Sequence, residues 1–159
     1  MAFALRSSAF ADGGEIPSLY TCEGRDISPP LLWDEPPAGT RAFALLVHDP
    51  DAPDPAAPRM DWVHWLLWDI PAAARGLPED AAGRGLPPGT RVGLNDWKRQ
   101  GWGGPCPPVG RHRYFFELSA LSAPLGDLGR ATRAEVERAM RGRVLGRAVL
   151  VGTYAKKRR

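Results

Sequence analysis

Apolar and polar positions in this 159-residue chain mostly alternate or run apolar over the length of a strand, and a helical period appears only once. The segment 3–10 reads as a first strand and gives way to the turn residues Asp12-Gly13-Gly14. Leu31-Leu32-Trp33 is a short apolar run closed by Asp34-Glu35-Pro36-Pro37. From Arg41 to Val47 the run is almost continuously apolar, as in a buried strand. Asp61 to Ile70 is apolar on both alternating sets, with Trp62, His64, Leu66, Trp68 and Ile70 on one and Val63, Trp65 and Leu67 on the other. A strand of that kind is central and covered on both faces. Arg113 to Leu121 and Ala148 to Tyr154 supply two more strands.

The connections are written in proline and glycine. Pro50, Pro53, Pro55 and Pro58 exclude both helix and sheet interior from the stretch after Val47. Ala52-Pro53 is the bond there best suited to the cis form. Residues 71–110 hold nine Gly and seven Pro and predict no regular element, with Leu94, Trp97 and Trp102 as anchors to the body. The helical period follows Thr132-Arg133-Ala134-Glu135, a capping-box pattern with Thr132 as N-cap. Val136, Ala139, Met140 and Val144 form its apolar face, Glu135–Arg138 and Glu137–Arg141 are supportive pairs, and Gly146 ends it. These elements predict a single domain over residues 1–159. It is dominated by β structure, with one or two short helices near the C-terminus.

Composition changes this picture little. Eighteen Gly and 17 Pro fit many turns, and 21 Lys and Arg against 18 Asp and Glu give a charge of only +3. The residues 156–159 form a basic tail, expected to be solvated, and the rest is close to neutral, which excludes nucleic acid as a partner. No run of 18 apolar residues and no secretory pattern at the N-terminus occurs, so a cytoplasmic protein without stable membrane insertion is expected. Cys22 and Cys106 have no zinc-site spacing. Reduced thiols are the expectation for that compartment, with a Cys22–Cys106 bridge as the alternative.

Candidate chemistry gathers at two loop-to-strand junctions. His112 and Tyr114 follow the loop Gly101 to Gly110 and share a strand face with Phe116 and Leu118. His64 and Trp62 follow the loop that starts at Asp49. If these strand ends meet, Asp49, Trp62, His64, His112 and Tyr114 line one pocket, with the backbone of Gly104, Pro105, Cys106 and Pro107 beside them. Imidazole and amide N–H groups there suit a phosphate or carboxylate. Each residue also has a plainer reading. His64 can be a core histidine, Asp49 and Asp51 can form Asx-turns, and the tryptophans other than Trp62 can be core. His48 points away from Asp49 and reads as surface. Asp49, His64 and His112 would also make a two-histidine, one-carboxylate metal triad, the alternative function. Neither a GxSxG elbow nor a P-loop is present.

The segments Asp49-Pro50-Asp51-Ala52-Pro53, Trp62-Val63-His64-Trp65 and Gly104-Pro105-Cys106-Pro107-Pro108 through His112-Arg113-Tyr114 resemble the two signatures of the phosphatidylethanolamine-binding protein family. The bacterial and archaeal Raf kinase inhibitor-like branch is the nearest in pattern. Tyr20 to Gly24, Ser28 to Trp33 and Val151 to Tyr154 extend the likeness over nearly the whole chain. The resemblance implies a β-sandwich of two antiparallel sheets with an anion pocket at one end. It implies non-enzymatic binding of small anions, phosphorylated ligands or phospholipid head groups by Asp49, Trp62, His64, Gly104, Pro105, Cys106, Pro107, His112 and Tyr114. No cofactor and no metal is implied. A kinase or protease as a regulated partner, and a homodimer, are consistent with it. Trp102 departs from the Tyr usual in that branch, and His48 lies outside the pattern.

Overall fold

The computed structural model describes residues 2–157. In chain order the strands are β1 (Ala4–Arg6), β2 (Leu31–Asp34), β3 (Ala42–Ala52), β4 (Met60–Pro71), β5 (Gly76–Leu77), β6 (Arg91–Val92), β7 (Arg111–Leu121) and β8 (Val144–Ala155). Helix α1 (Ala81–Arg84) is a single turn and α2 (Arg133–Met140) has eight residues. All strand pairs are antiparallel, in a three-stranded sheet β1-β2-β5 and a five-stranded sheet β6-β4-β3-β7-β8. This is the two-sheet architecture expected from the sequence.

The strands form where side chains alternate between two environments. On β3, Phe43, Leu45 and Val47 face the inter-sheet core, together with Phe116 and Leu118 of β7 and Trp33 of β2. Fully burying a side chain of this size contributes about 2 kcal/mol. The other face of the large sheet carries Ala44, Val63, Leu66 and Trp68 and is covered by Val136 and Met140 of α2. Both faces of β3 and β4 are thus buried.

Several elements depart from the sequence reading. The first strand is shorter than residues 3–10, although Phe10 still reaches the core. Strand β3 continues through Pro50 to Ala52, because its ladder with β7 ends at His48–Phe115. Beyond that point one edge is free, so the missing proline N–H leaves no rung unmade there. Ala52-Pro53 is cis, a state the sequence left open. The segment 71–110 is not wholly irregular, since β5, α1 and β6 lie within it. The capping box forms as read, but α2 ends at Met140 instead of reaching Gly146. Val144 begins β8, which pairs along the whole of β7. A long ladder outweighs one more helical turn.

The alternation predicted for β4 also breaks, in an informative way. Val47 pairs with Trp65 but His48 pairs with Val63, which leaves His64 as the extra residue of a β-bulge. A second irregularity lies between Leu67 and Ile70, where Asp69 adopts φ 55°. Leu66 and Trp68 consequently face α2, while Trp65 and Leu67 join Ile70 in the inter-sheet core. Of the basic tail, Lys157 is held to the body by Glu15 at 2.5 Å and lies 5.8 Å from the Tyr154 ring, so it is not simply solvated. Arg158 and Arg159 fall outside the described residues.

Candidate functional site

The site lies at the end of the sandwich where β3, β4 and β7 run out of the inter-sheet core. Asp49 follows Val47 on the inner face of β3, and His112 precedes Tyr114 and Phe116 on the inner face of β7. His64 lies on the same side as Trp62, and the bulge carries Leu66 to the opposite face. β-Bulges re-aim side chains in this way. A cavity of about 170 Å³ results, lined by Asp49, Ala52, Pro53, Met60, Trp62, His64, Trp97, Cys106, Pro107, Pro108, His112 and Tyr114. Seven of the nine residues expected from the sequence therefore meet there, namely Asp49, Trp62, His64, Cys106, Pro107, His112 and Tyr114.

Gly104 and Pro105 do not line the cavity. The Gly104 N–H donates to Asp26 Oδ1 at 2.8 Å, and the Pro105 carbonyl accepts from the Cys22 N–H at 3.1 Å. Their work is to hold the loop. A Cβ at Gly104 would lie 2.3 Å from the Tyr20 carbonyl oxygen, so glycine is required for the close approach. Cys106 pairs with Cys22 in a disulfide with Cα atoms 5.4 Å apart, which corrects the expectation of reduced thiols. Pairing across 84 residues cannot be read from spacing, because it depends on where the two loops meet.

His112 is fully buried and both ring nitrogens are occupied. Its Nε2 lies 2.8 Å from the Val109 carbonyl and 3.1 Å from that of Pro53. Carbonyls only accept, so Nε2 carries a hydrogen and donates it. Nδ1 lies 2.5 Å from Asp49 Oδ2, a separation that places a proton between the two. The pair holds one proton, and its net charge is zero on whichever partner that proton rests. Burial raises the Asp49 pKa, opposed by the His112 contact and by the Asp51 N–H donating to Asp49 Oδ1. The Asx-type contact from Asp51 is thus real, and Asp49 orients His112 as well. Asp51 itself receives the Arg113 N–H, Nε and Nη2 at 2.9–3.0 Å and continues the β3–β7 junction where the ladder stops. Those contacts hold its carboxyl below the usual range.

His64 is 3% exposed, and its Nδ1 donates to the Gly103 carbonyl at 2.6 Å. No hydrogen bond is formed by Nε2 among the described residues, and the Gly104 backbone also lies near the ring and favours its charged form weakly against burial. Burial without a carboxylate partner pushes its pKa down to about 4, so the ring is neutral near pH 7 and Nε2 bears a lone pair. Tyr114 packs edge-on against His64 at 5.2 Å and stacks on His112 at 6.3 Å. Its buried hydroxyl has no hydrogen-bond partner among the described residues, and burial raises its pKa.

Trp97 is the wall that sequence reasoning missed. It meets Trp62 at 5.5 Å and His64 at 5.2 Å, both edge-on. Its segment runs along the free edge of β4 through Gly93–Leu66, Asp96–Val63 and Gly103–His64 backbone bonds. Buried Asn95 organises the turn by accepting from the Trp97 and Arg99 N–H groups and donating to the Gly101 carbonyl. The available signal was a tryptophan at the tip of a glycine-rich loop. Trp102 acts as the anchor foreseen, packing on Trp65 and Phe116.

His48 is not a surface residue. It is 6% exposed on the outer face, with Nδ1 2.6 Å from Asp61 Oδ1 and Nε2 bound to Glu117. Burial opposes its charge, but Glu117 and Asp61 outweigh it and raise the pKa. Asp61 also binds Arg133 at 2.8 Å, which ties α2 to the sheet.

The two histidines give stability opposite pH dependences. His64 has a folded pKa below its unfolded value of about 6.5. As pH falls from there toward 4 the unfolded chain takes up a proton that the fold refuses, and stability drops by on the order of 3 kcal/mol. His48 has a raised folded pKa, so its contribution is full below about 6.5 and is lost as pH rises through the folded value. Urea denaturation between pH 4 and 7 is expected to show the acid loss, reduced in a His64→Gln variant. An equal loss in both proteins would remove His64 as its cause.

The metal-triad alternative finds no support in this arrangement, since His112 offers no free nitrogen. Among the described residues no three His, Cys, Asp or Glu side chains gather in a metal-binding group.

Comparison with known proteins adds context. The family model described as phosphatidylethanolamine-binding protein matches residues 6–155. A UPF0098 protein of Methanothermobacter thermautotrophicus is 47% identical over 154 residues, covering 96% of this chain and 98% of its own. A crystal structure of a homologue from Chlamydia trachomatis superposes with a TM-score of 0.90 at 35% identity, covering 98% of this chain and 99% of that one. That of E. coli YbcL, described as a new member of the mammalian family, gives 0.88 at 33%, covering 99% and 100%.

Proposed function

The chain belongs to the phosphatidylethanolamine-binding protein family, and from that premise we propose that its pocket binds small anions, phosphorylated ligands or phospholipid head groups without chemically transforming them. The observation that carries this reading is the buried hydroxyl of Tyr114, a cavity-lining residue, which has no hydrogen-bond partner among the described residues. A buried hydroxyl left alone costs about 1–3 kcal/mol, and an oxyanion oxygen in the cavity would satisfy it. The walls Trp62, Trp97, Met60, Pro107 and Pro108 fit the apolar part of such a ligand. Regulation of a kinase or protease through the occupied pocket belongs to the same proposal.

The reading against catalysis rests on the polar groups. Both His112 nitrogens and both Asp49 oxygens are engaged within the protein, Cys106 is tied in the disulfide, and among the described residues no serine or lysine lines the cavity. Among the described residues the cavity presents no hydroxyl, amine or free thiol paired with a base, and the His64 ring stands without an orienting carboxylate. No helix among the described residues is long and apolar enough to cross a membrane. A cytoplasmic location gains no support from the disulfide, since thiols are kept reduced there.

Phosphate titrated into the protein and followed by NMR is expected to move the His64, Trp62 and Trp97 ring signals first. Tyr114→Phe should weaken binding by roughly tenfold, the worth of a hydrogen bond to a charged group, while leaving stability unchanged or slightly raised. Shifts confined to the basic C-terminal residues, or undiminished binding in the variant, would sink the reading.

A further inference from the structure

The cavity is named for no charge that could hold an anion by ion pairing. Among the described residues its lining contains neither arginine nor lysine. Arg113, next to His112 in the chain, is committed to Asp51 in a paired geometry. The Asp49–His112 pair has no net charge, and the loop amides of Gly103 and Gly104 donate to the His64 carbonyl and to Asp26. A fully ionised dianion would enter an aromatic and proline-walled space beside a carboxyl group with nothing to neutralise it.

Two polar positions are left, and they have opposite character. The Tyr114 hydroxyl is a donor without an acceptor among the described residues. His64 is the reverse. Its Nδ1–H is fixed on the Gly103 carbonyl, so the neutral ring presents a lone pair at Nε2. The groups facing His64 do not help it to ionise. His112 on β7 and His48 on β3 act against a second positive charge, Asp49 is engaged with His112, and Trp97 and Tyr114 cover the ring faces with aromatic edges.

We infer, resting on the anion-pocket reading above, that the pocket selects a singly protonated oxyanion whose own O–H donates to His64 Nε2 while another of its oxygens accepts from the Tyr114 hydroxyl. The ligand class is a phosphate monoester in its monoanionic form. Discrimination comes from a hydrogen the ligand carries and not from its charge. An oxyanion of equal charge and shape without that hydrogen sets its lone pairs against the His64 lone pair. Sites built to bond a particular hydrogen reject analogues that lack it.

Methyl phosphate and methyl sulfate form the test, because at pH 5.5 both are singly charged and nearly isosteric, and only the first bears an O–H. Isothermal titration of the wild-type protein is expected to find methyl phosphate tighter by roughly tenfold to hundredfold, the worth of one buried hydrogen bond replaced by an unsatisfied group. Methyl phosphate affinity should then fall about tenfold per pH unit above its second pKa near 6. About one proton should be taken up per ligand at pH 8, measured from the heats in buffers of different ionisation enthalpy. Equal binding of the two anions, or affinity independent of pH from 5.5 to 8, overturns the inference and leaves the anion pocket standing. Binding of neither anion overturns both.

Discussion

A chain with both Cys22 and Cys106 replaced by serine is expected to unfold about 4 kcal/mol more easily than the oxidised protein. The bridge joins residues 84 apart, and a cross-link closing a loop of that length restricts the denatured chain by about 4.5 kcal/mol in the chain-entropy model. The native fold already brings the two loops together. Cys22 N–H donates to the Pro105 carbonyl and Gly104 N–H donates to Asp26, so the variant should keep the same folded structure. The effect then acts through the unfolded state, as a drop of roughly 10 °C in midpoint temperature for a chain of this size. Equilibrium urea denaturation of the oxidised protein, the reduced protein and the double variant measures it. A loss below about 1 kcal/mol would show that the denatured chain already keeps these loops close. Because Cys106 also lines the cavity, the same samples report whether the bridge matters to ligand binding independently of stability.

The second large effect concerns Asp49. Asp49→Ala leaves His112 Nδ1 facing an empty buried site and deprives the Asp51 N–H of its acceptor. Breaking a buried, hydrogen-bonded pair by removing one member costs about 3 kcal/mol or more. Asp49→Asn should behave quite differently. An amide oxygen can accept from the Asp51 N–H, and the amide N–H can donate to the Nδ1 lone pair of a neutral imidazole whose Nε2–H stays on Val109. The neutral amide–imidazole pair has the same net charge as the proton-sharing pair it replaces. The expected loss is under about 1 kcal/mol, since both hydrogen bonds survive. Denaturation of the two variants side by side decides the matter. Comparable losses for Ala and Asn would mean that the negative charge of Asp49, and not its hydrogen-bond geometry, supports His112.

The contrast between these two residues and His48 shows how legible the site was. Asp49 and His112 fall on inner faces through simple alternation along β3 and β7, so their meeting followed once those strands were adjacent. His48 was correctly turned away from Asp49, yet its burial depended on Asp61, Glu117 and α2, which come from three distant parts of the chain. His64 was placed in the pocket for an incomplete reason. Alternation put it beside Trp62 but also beside Leu66, and only the bulge separates them. The expectation that His112 would donate to the ligand has to be revised, because both of its nitrogens find partners inside the protein. On the proposed reading, the polar contacts left for a ligand belong to His64 and Tyr114.

The sequence by itself determined the strand-rich fold, the face that His112, Tyr114, Phe116 and Leu118 share on β7 and the capping box of α2. These rest on period-two alternation and on hydrogen bonds spanning three residues, both local properties of the chain. The tertiary structure alone decided the register shift at His64, the pairing of Cys22 with Cys106 and the docking of Trp97 beside Trp62. It also decided which hydrogen bonds of the pocket are already made. Each of these depends on a partner far away in sequence, and a donor counts as free or engaged only after every neighbour has been placed.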